Sequence, residues 1–133
     1  MSGSVPPSEA PTIRVIAMPA DTNYNGDIFG GWLLSQMDLA GGTLASRVSR
    51  GRIATVHIEG MSFLAPVAVG DEVSIYATLI STGRTSMKID IAAWRRHRGE
   101  EESVKVTEGH FVYVAIDENK QSRQLPQDAQ KRG

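Results

Sequence analysis

Between Gly30 and Arg50 the chain contains no proline, and Leu33, Met37, Ala40, Leu44 and Val48 recur every three or four residues. That stripe predicts an amphipathic helix of about five turns, and Arg47, Arg50 and Gly51 mark its end with cations and a terminal glycine. After it the apolar period falls to two. Ala54, Val56 and Ile58 alternate with Thr55, His57 and Glu59, and a bulge at Gly60 passes the pattern to Met61 and Phe63. Val73 to Leu79 and Met87 to Ala93 form the next two strands, with turns at Val69-Gly70-Asp71, Thr82-Gly83-Arg84 and Arg95 to Glu102. The last strand runs through Val104, Val106, His110, Val112, Val114 and Ile116. No helix separates these strands, so they pair as antiparallel neighbours in an α+β domain. One long helix covers one face of the sheet, leaving the other to solvent or a second subunit.

A chain of 133 residues holds one core. Residues 1–11 read as a flexible lead-in, 12–117 as the domain and 118–133 as a polar tail, with a short β-rich stretch at Thr12–Ala17 and a turn-forming loop at Ala20–Phe29. Fourteen Lys and Arg against fifteen Asp and Glu give a net charge of −1, which argues against a general nucleic-acid binder. The absence of cysteine removes disulfides, thiolate metal sites and thiol nucleophiles, and fits a reducing compartment. No signal peptide or membrane span is legible, so the expected location is the cytoplasm and no membrane partner is expected. Three scattered histidines without paired spacing predict no metal site.

The densest polar group precedes and enters the helix: Asn23, Asn25, Asp27, then Gly30-Gly31, then Asp38. The opening N–H groups of a helix lack partners and carry its positive dipole end. Glycines there either let the loop turn or bare those amides to a carbonyl oxygen, as in an oxyanion hole. Asn25 and Asp27 either cap the helix or orient a water or the substrate carbonyl. Asp38 lies two turns inside, with Leu34, Gly41, Gly42 and Ala45 as its helical neighbours. Aspartate and paired glycines are both poor mid-helix residues, which favours an acid held at a close-packed face. Gly30 and Asp38 stand eight residues apart, about 12 Å along the axis. One reacting carbonyl cannot touch both, so a shared reaction requires the acid of a second chain and a two-fold dimer. Gly83-Arg84-Thr85-Ser86 offers a cation and hydroxyls to phosphate, or is an ordinary hairpin turn.

The segment from Met18 to Asp38 (MPADTNYNGDIFGGWLLSQMD) resembles the signature of bacterial acyl-CoA thioesterases of the hotdog superfamily, the YciA-like group. The similarity continues through Gly51-Arg52, Val56, Glu59 to Phe63, Pro66-Val67, Val69 to Asp71, Gly83 to Ser86 and Thr107-Glu108. The resemblance implies a hotdog fold, a five-stranded antiparallel sheet wrapped around the long helix. Its dimers share one continuous sheet, and three dimers make a hexamer. It implies hydrolysis of acyl-CoA to CoA and a free acid, with no metal and no cofactor, CoA being part of the substrate. Its catalytic carboxylate falls on Asp38 and its carbonyl-polarising amides on Gly30 and Gly31. Its CoA contacts fall near Thr55, Arg84, Thr85 and Ser86. Two other readings remain: a hotdog dehydratase, whose helix-entry histidine this chain lacks, and a non-catalytic acyl-CoA-binding module, in which Asp38 would be dispensable.

Overall fold

The computed structural model describes residues 5–130; positions 1–4 of the lead-in and 131–133 of the expected tail lie outside them. The elements run β1 (Ile13–Ile16), α1 (Gly30–Ser49), β2 (Ile53–Phe63), β3 (Glu72–Thr82), β4 (Ser86–Arg96) and β5 (Ser103–Ala115), with short 3-10 turns at Pro19–Asp21 and Gln127–Ala129. All pairings are antiparallel in the order β1-β3-β4-β5-β2. The helix lies on one face, burying Leu33, Met37, Ala40, Gly41, Ala45 and Ser49 against a sheet core that includes Val73, Ile75, Met87, Ile89, Ile91 and Phe111. Among the described residues β2 pairs with β5 alone, so it is an open edge.

Several elements depart from the expected pattern. The buried line of α1 leaves Leu44 and Val48 partly buried and follows Gly41, Ala45 and Ser49 instead. Small side chains let the second half of the helix lie close to the sheet: a Cβ at Gly41 would stand 2.5 Å from Ile91 Cδ1. Arg50, not Gly51, adopts the left-handed cap conformation (φ 59°). Gly51 instead leaves room for the Arg123 guanidinium, which donates from Nη1 to the Ser49 carbonyl at 3.1 Å and so satisfies the negative end of the helix.

The bulge at Gly60 is present, with φ 74° and a register shift between Glu59 and Ser62. A further shift between Thr55 and His57 leaves Val56 56% exposed and keeps Thr55 on the helix side. In β5 the buried residues beyond Val106 include Phe111, Tyr113 and Ala115, while Val112 and Val114 stay partly exposed. Alternation alone cannot choose the phase, because neighbouring positions are both apolar. The segment beyond Glu118 is polar yet folds back on the domain: Leu125 and Ala129 are buried, and Thr82 Oγ1 donates to the Ala129 carbonyl at 2.6 Å. Two apolar residues suffice to anchor it, which composition conceals.

Candidate active site

The loop before α1 is built by Asn23. Its Oδ1 accepts the backbone N–H groups of Asn25 (2.9 Å) and Asp27 (3.2 Å), and its own N–H donates to the Asp27 carbonyl. This Asx turn makes Asn23 the loop's organiser, a role that sequence reasoning leaves unassigned. Asn25 and Asp27 serve it through their backbones, and neither caps the helix. The N-cap is Phe29, and no side chain caps the helix start. The amides of Gly30 and Gly31 therefore keep the unpaired character of a helix N-terminus.

Phe63 and Phe29 crowd both glycine positions. A Cβ at Gly30 would stand 3.1 Å from Phe63 Cζ, and one at Gly31 3.2 Å from the Phe29 ring. Beside these amides lies an apolar cavity of about 300 Å³, lined by Ile28, Phe29, Gly30, Leu33, Phe63 and Val106 among others. A chain of methylene groups fits such a wall, and a carbonyl at its mouth meets the helix N-terminus.

Asp38 lies on the sheet side of α1. Its Oδ1 accepts hydrogen bonds from Thr55 Oγ1 on β2 (2.8 Å) and from the Tyr113 hydroxyl on β5 (2.9 Å). Thr55 and Tyr113 are cross-strand partners, so the sheet presents both hydroxyls together. Burial, and then the Asp38 carboxylate, push the Tyr113 phenol far above the ordinary tyrosine range, so it acts as a donor at every physiological pH. Among the described residues no ion pair reaches Asp38 and no hydrogen bond occupies Oδ2. A carboxylate with one oxygen anchored and the other open can take a proton from water or attack a carbonyl carbon.

The expected CoA-binding residues separate. Thr55 spends its hydroxyl on Asp38. Arg84 is exposed at the β3–β4 turn beside Thr85. Ser86 alternates with the buried Met87 and stands on the opposite sheet face from Tyr113. Tyr113 escapes sequence reasoning, although a tyrosine at an inward strand position signals a hydroxyl in need of a buried partner. Among the described residues no three His, Asp or Glu side chains gather as a metal site, and no helix is long and apolar enough to cross a membrane.

The family model described as Thioesterase superfamily matches residues 25–102. The chain is 51% identical over 120 residues to an uncharacterized acyl-CoA thioester hydrolase of Zymomonas mobilis, covering 90% of this chain and 80% of that one. It is also 51% identical to the acyl-CoA thioester hydrolase YciA of Escherichia coli, covering 86% and 89% of the two chains. Among solved structures, a hexameric broad-specificity acyl-coenzyme A thioesterase superposes with a TM-score of 0.87 at 42% identity, covering 92% of this chain and 85% of that one. A hexameric hotdog-fold thioesterase of Campylobacter jejuni gives a TM-score of 0.84 at 31% identity, covering 91% and 93%. The five-stranded sheet packed on one helix is thus shared with proteins of known kind: the chain belongs to the thioesterase superfamily, among its hotdog-fold acyl-CoA thioester hydrolases.

Proposed function

We propose that this chain hydrolyses acyl-CoA at a site shared by two protomers, where the Gly30 and Gly31 amides of one meet Asp38 of the other. One observation carries this reading. The helix start and the open carboxylate oxygen belong to one rigid helix, eight residues and about 12 Å apart, too far for one thioester. The open edge of β2 and the exposed Leu39 and Val56 beside it (60% and 56%) suit antiparallel pairing of β2 with its two-fold copy, which would lay the two helices side by side. The hexameric relatives support three such dimers as the working assembly.

In this arrangement the acyl chain enters the cavity beside Phe63, and the thioester oxygen accepts from the glycine amides. Asp38 takes a proton from water as the hydroxide adds to the carbonyl carbon. The amides hold the charge that develops on oxygen; removing one such donor typically costs about 10²–10³ in rate. The C–S bond then breaks, and CoA leaves as a thiolate that recovers the proton. The alternative, attack by Asp38 itself to give a mixed anhydride, uses the same geometry. Label left in Asp38 after single turnover in ¹⁸O-water would mark the anhydride route, with water attacking the Asp38 carbonyl of the anhydride. Arg84 at the turn is the cation we assign to CoA phosphate, with Thr85 and Ser86 beside it. Thr55 acts through Asp38 instead. The chemistry of these residues calls for no metal or further cofactor, and we place it in the cytoplasm.

The test is Asp38→Asn, followed by thiol release from acyl-CoA. Turnover falls by about 10³ or more, while CoA binding and assembly persist. Native turnover in that variant would return the chain to a binding role.

A further inference from the structure

We infer that Tyr113 is the residue that positions the reactive carboxylate, its hydroxyl pinning Asp38 Oδ1 so that Oδ2 alone faces the substrate; this rests on the reading of Asp38 given above. An aspartate in mid-helix tends to rotate toward nearby backbone groups, and a base that samples several rotamers spends little time aligned. Here rotation is opposed from the sheet. Tyr113 is fully buried, and its ring stacks on Phe111 with centroids 6.4 Å apart and planes 15° from parallel. Burial in the gap at Gly41 holds the hydroxyl in place, and the ring stack adds packing rather than aim. The hydroxyl donates to Asp38 Oδ1 at 2.9 Å and lies 3.2 Å from the Asp38 carbonyl oxygen, which ties it to both ends of the same residue.

The helix makes room for this contact at a cost. A Cβ at position 41 would overlap the Tyr113 hydroxyl and stand 2.9 Å from Cζ. Gly41 is thus the gap through which the phenol reaches the carboxylate, and it accounts for a glycine in the middle of α1, where alanine would otherwise favour the helix. Thr55 reaches the same oxygen from β2 at 2.8 Å. Two donors on one oxygen fix the carboxylate plane and leave the other oxygen to the reaction.

Tyr113→Phe removes the hydroxyl and keeps the ring. The expected result is a fall in kcat of about tenfold to a hundredfold. KM, the oligomeric mass and the stoichiometry of CoA binding stay at native values. Phe111→Leu, which disturbs the ring stack and leaves the hydroxyl, keeps kcat within about threefold. Tyr113→Phe with kcat within about twofold of native overturns the proposal. So does an equal kcat loss in Phe111→Leu, or a loss in Tyr113→Phe matched by lost CoA-binding sites, since either would make the role one of packing. Should Asp38→Asn keep native turnover, the reading of Asp38 fails; should Asp38→Asn be inactive and Tyr113→Phe fully active, only the positioning role fails.

Discussion

The helix side and the outer face of the sheet each hold carboxylates, and they are built on opposite principles. On the helix side Asp38 has two hydroxyl donors on one oxygen, and among the described residues no cation pairs with it. On the outer side Asp90 and Glu108 sit together in a wider cavity of about 350 Å³, within a web of ion pairs. Lys105 contacts Glu108 at 2.5 Å, His110 reaches Asp90 at 3.4 Å, and Lys88 and His57 hold Glu59 at 3.1 and 3.2 Å. Lys88, then His57, keeps Glu59 below the ordinary carboxylate range. Burial, then the neighbouring Glu108, pushes Asp90 up to about 6. The outer cluster holds more titratable groups and more volume, yet each carboxylate there already has a partner. The inner one has an oxygen with no partner among the described residues. Unspent bonding capacity, not density of charge, distinguishes the face we propose as reactive.

Asparagine substitution on each face gives the largest contrast. Asp38→Asn loses about 10³ or more of turnover, whereas Asp90→Asn keeps it within a small factor in the same thiol-release assay. Comparable losses on both faces would erase the distinction. Next in size is the contrast between the two mid-helix glycines. Gly41→Ala drives a methyl group into Tyr113 and Ile91 and costs about 1–3 kcal/mol despite the gain in helix propensity. Gly42→Ala meets only Ile53 Cδ1 at 3.6 Å and gains up to about 1 kcal/mol. Thermal melts of the two variants check both signs.

The smallest effect is electrostatic and separates the faces by pH. The Asp90 carboxyl titrates at about 6 in the folded chain against about 3.9 when unfolded. Between those values the folded state binds more protons, so this group's contribution to stability is present at low pH and is lost as pH rises from about 4 to 6. An asparagine amide in its place would retain a donor for Glu108 without a charge. Asp90→Asn therefore raises the melting temperature by a few degrees at about pH 7, and the gain vanishes at about pH 4. A pH-independent difference would contradict the burial and carboxylate contact assigned to it.

The helix, the four strands after it and the Gly30, Gly31 and Asp38 constellation are legible in the sequence because each rests on local spacing. The bulge after Thr55 is not, and so alternation groups Val56 with the inward residues. Tyr113 is hidden because Val112 and Val114 offer an equally good alternation. The segment beyond Glu118 looks like a tail because two anchoring residues, Leu125 and Ala129, do not alter a polar composition. What stays hidden depends on register and on contacts between distant strands. Asn23 is visible but hard to weigh: its neighbours Asn25 and Asp27 look equivalent to it until the hydrogen bonds show which one organises the loop.

The central claim is that glycine amides and carboxylate come from different chains. Coexpressing an Asp38→Asn chain with a Gly31→Val chain tests it directly, because each variant retains what the other lacks. Random pairing predicts that the mixture recovers about a quarter of native turnover, from the one intact composite site in each mixed dimer. A mixture no more active than the separate variants combined would contradict the shared site.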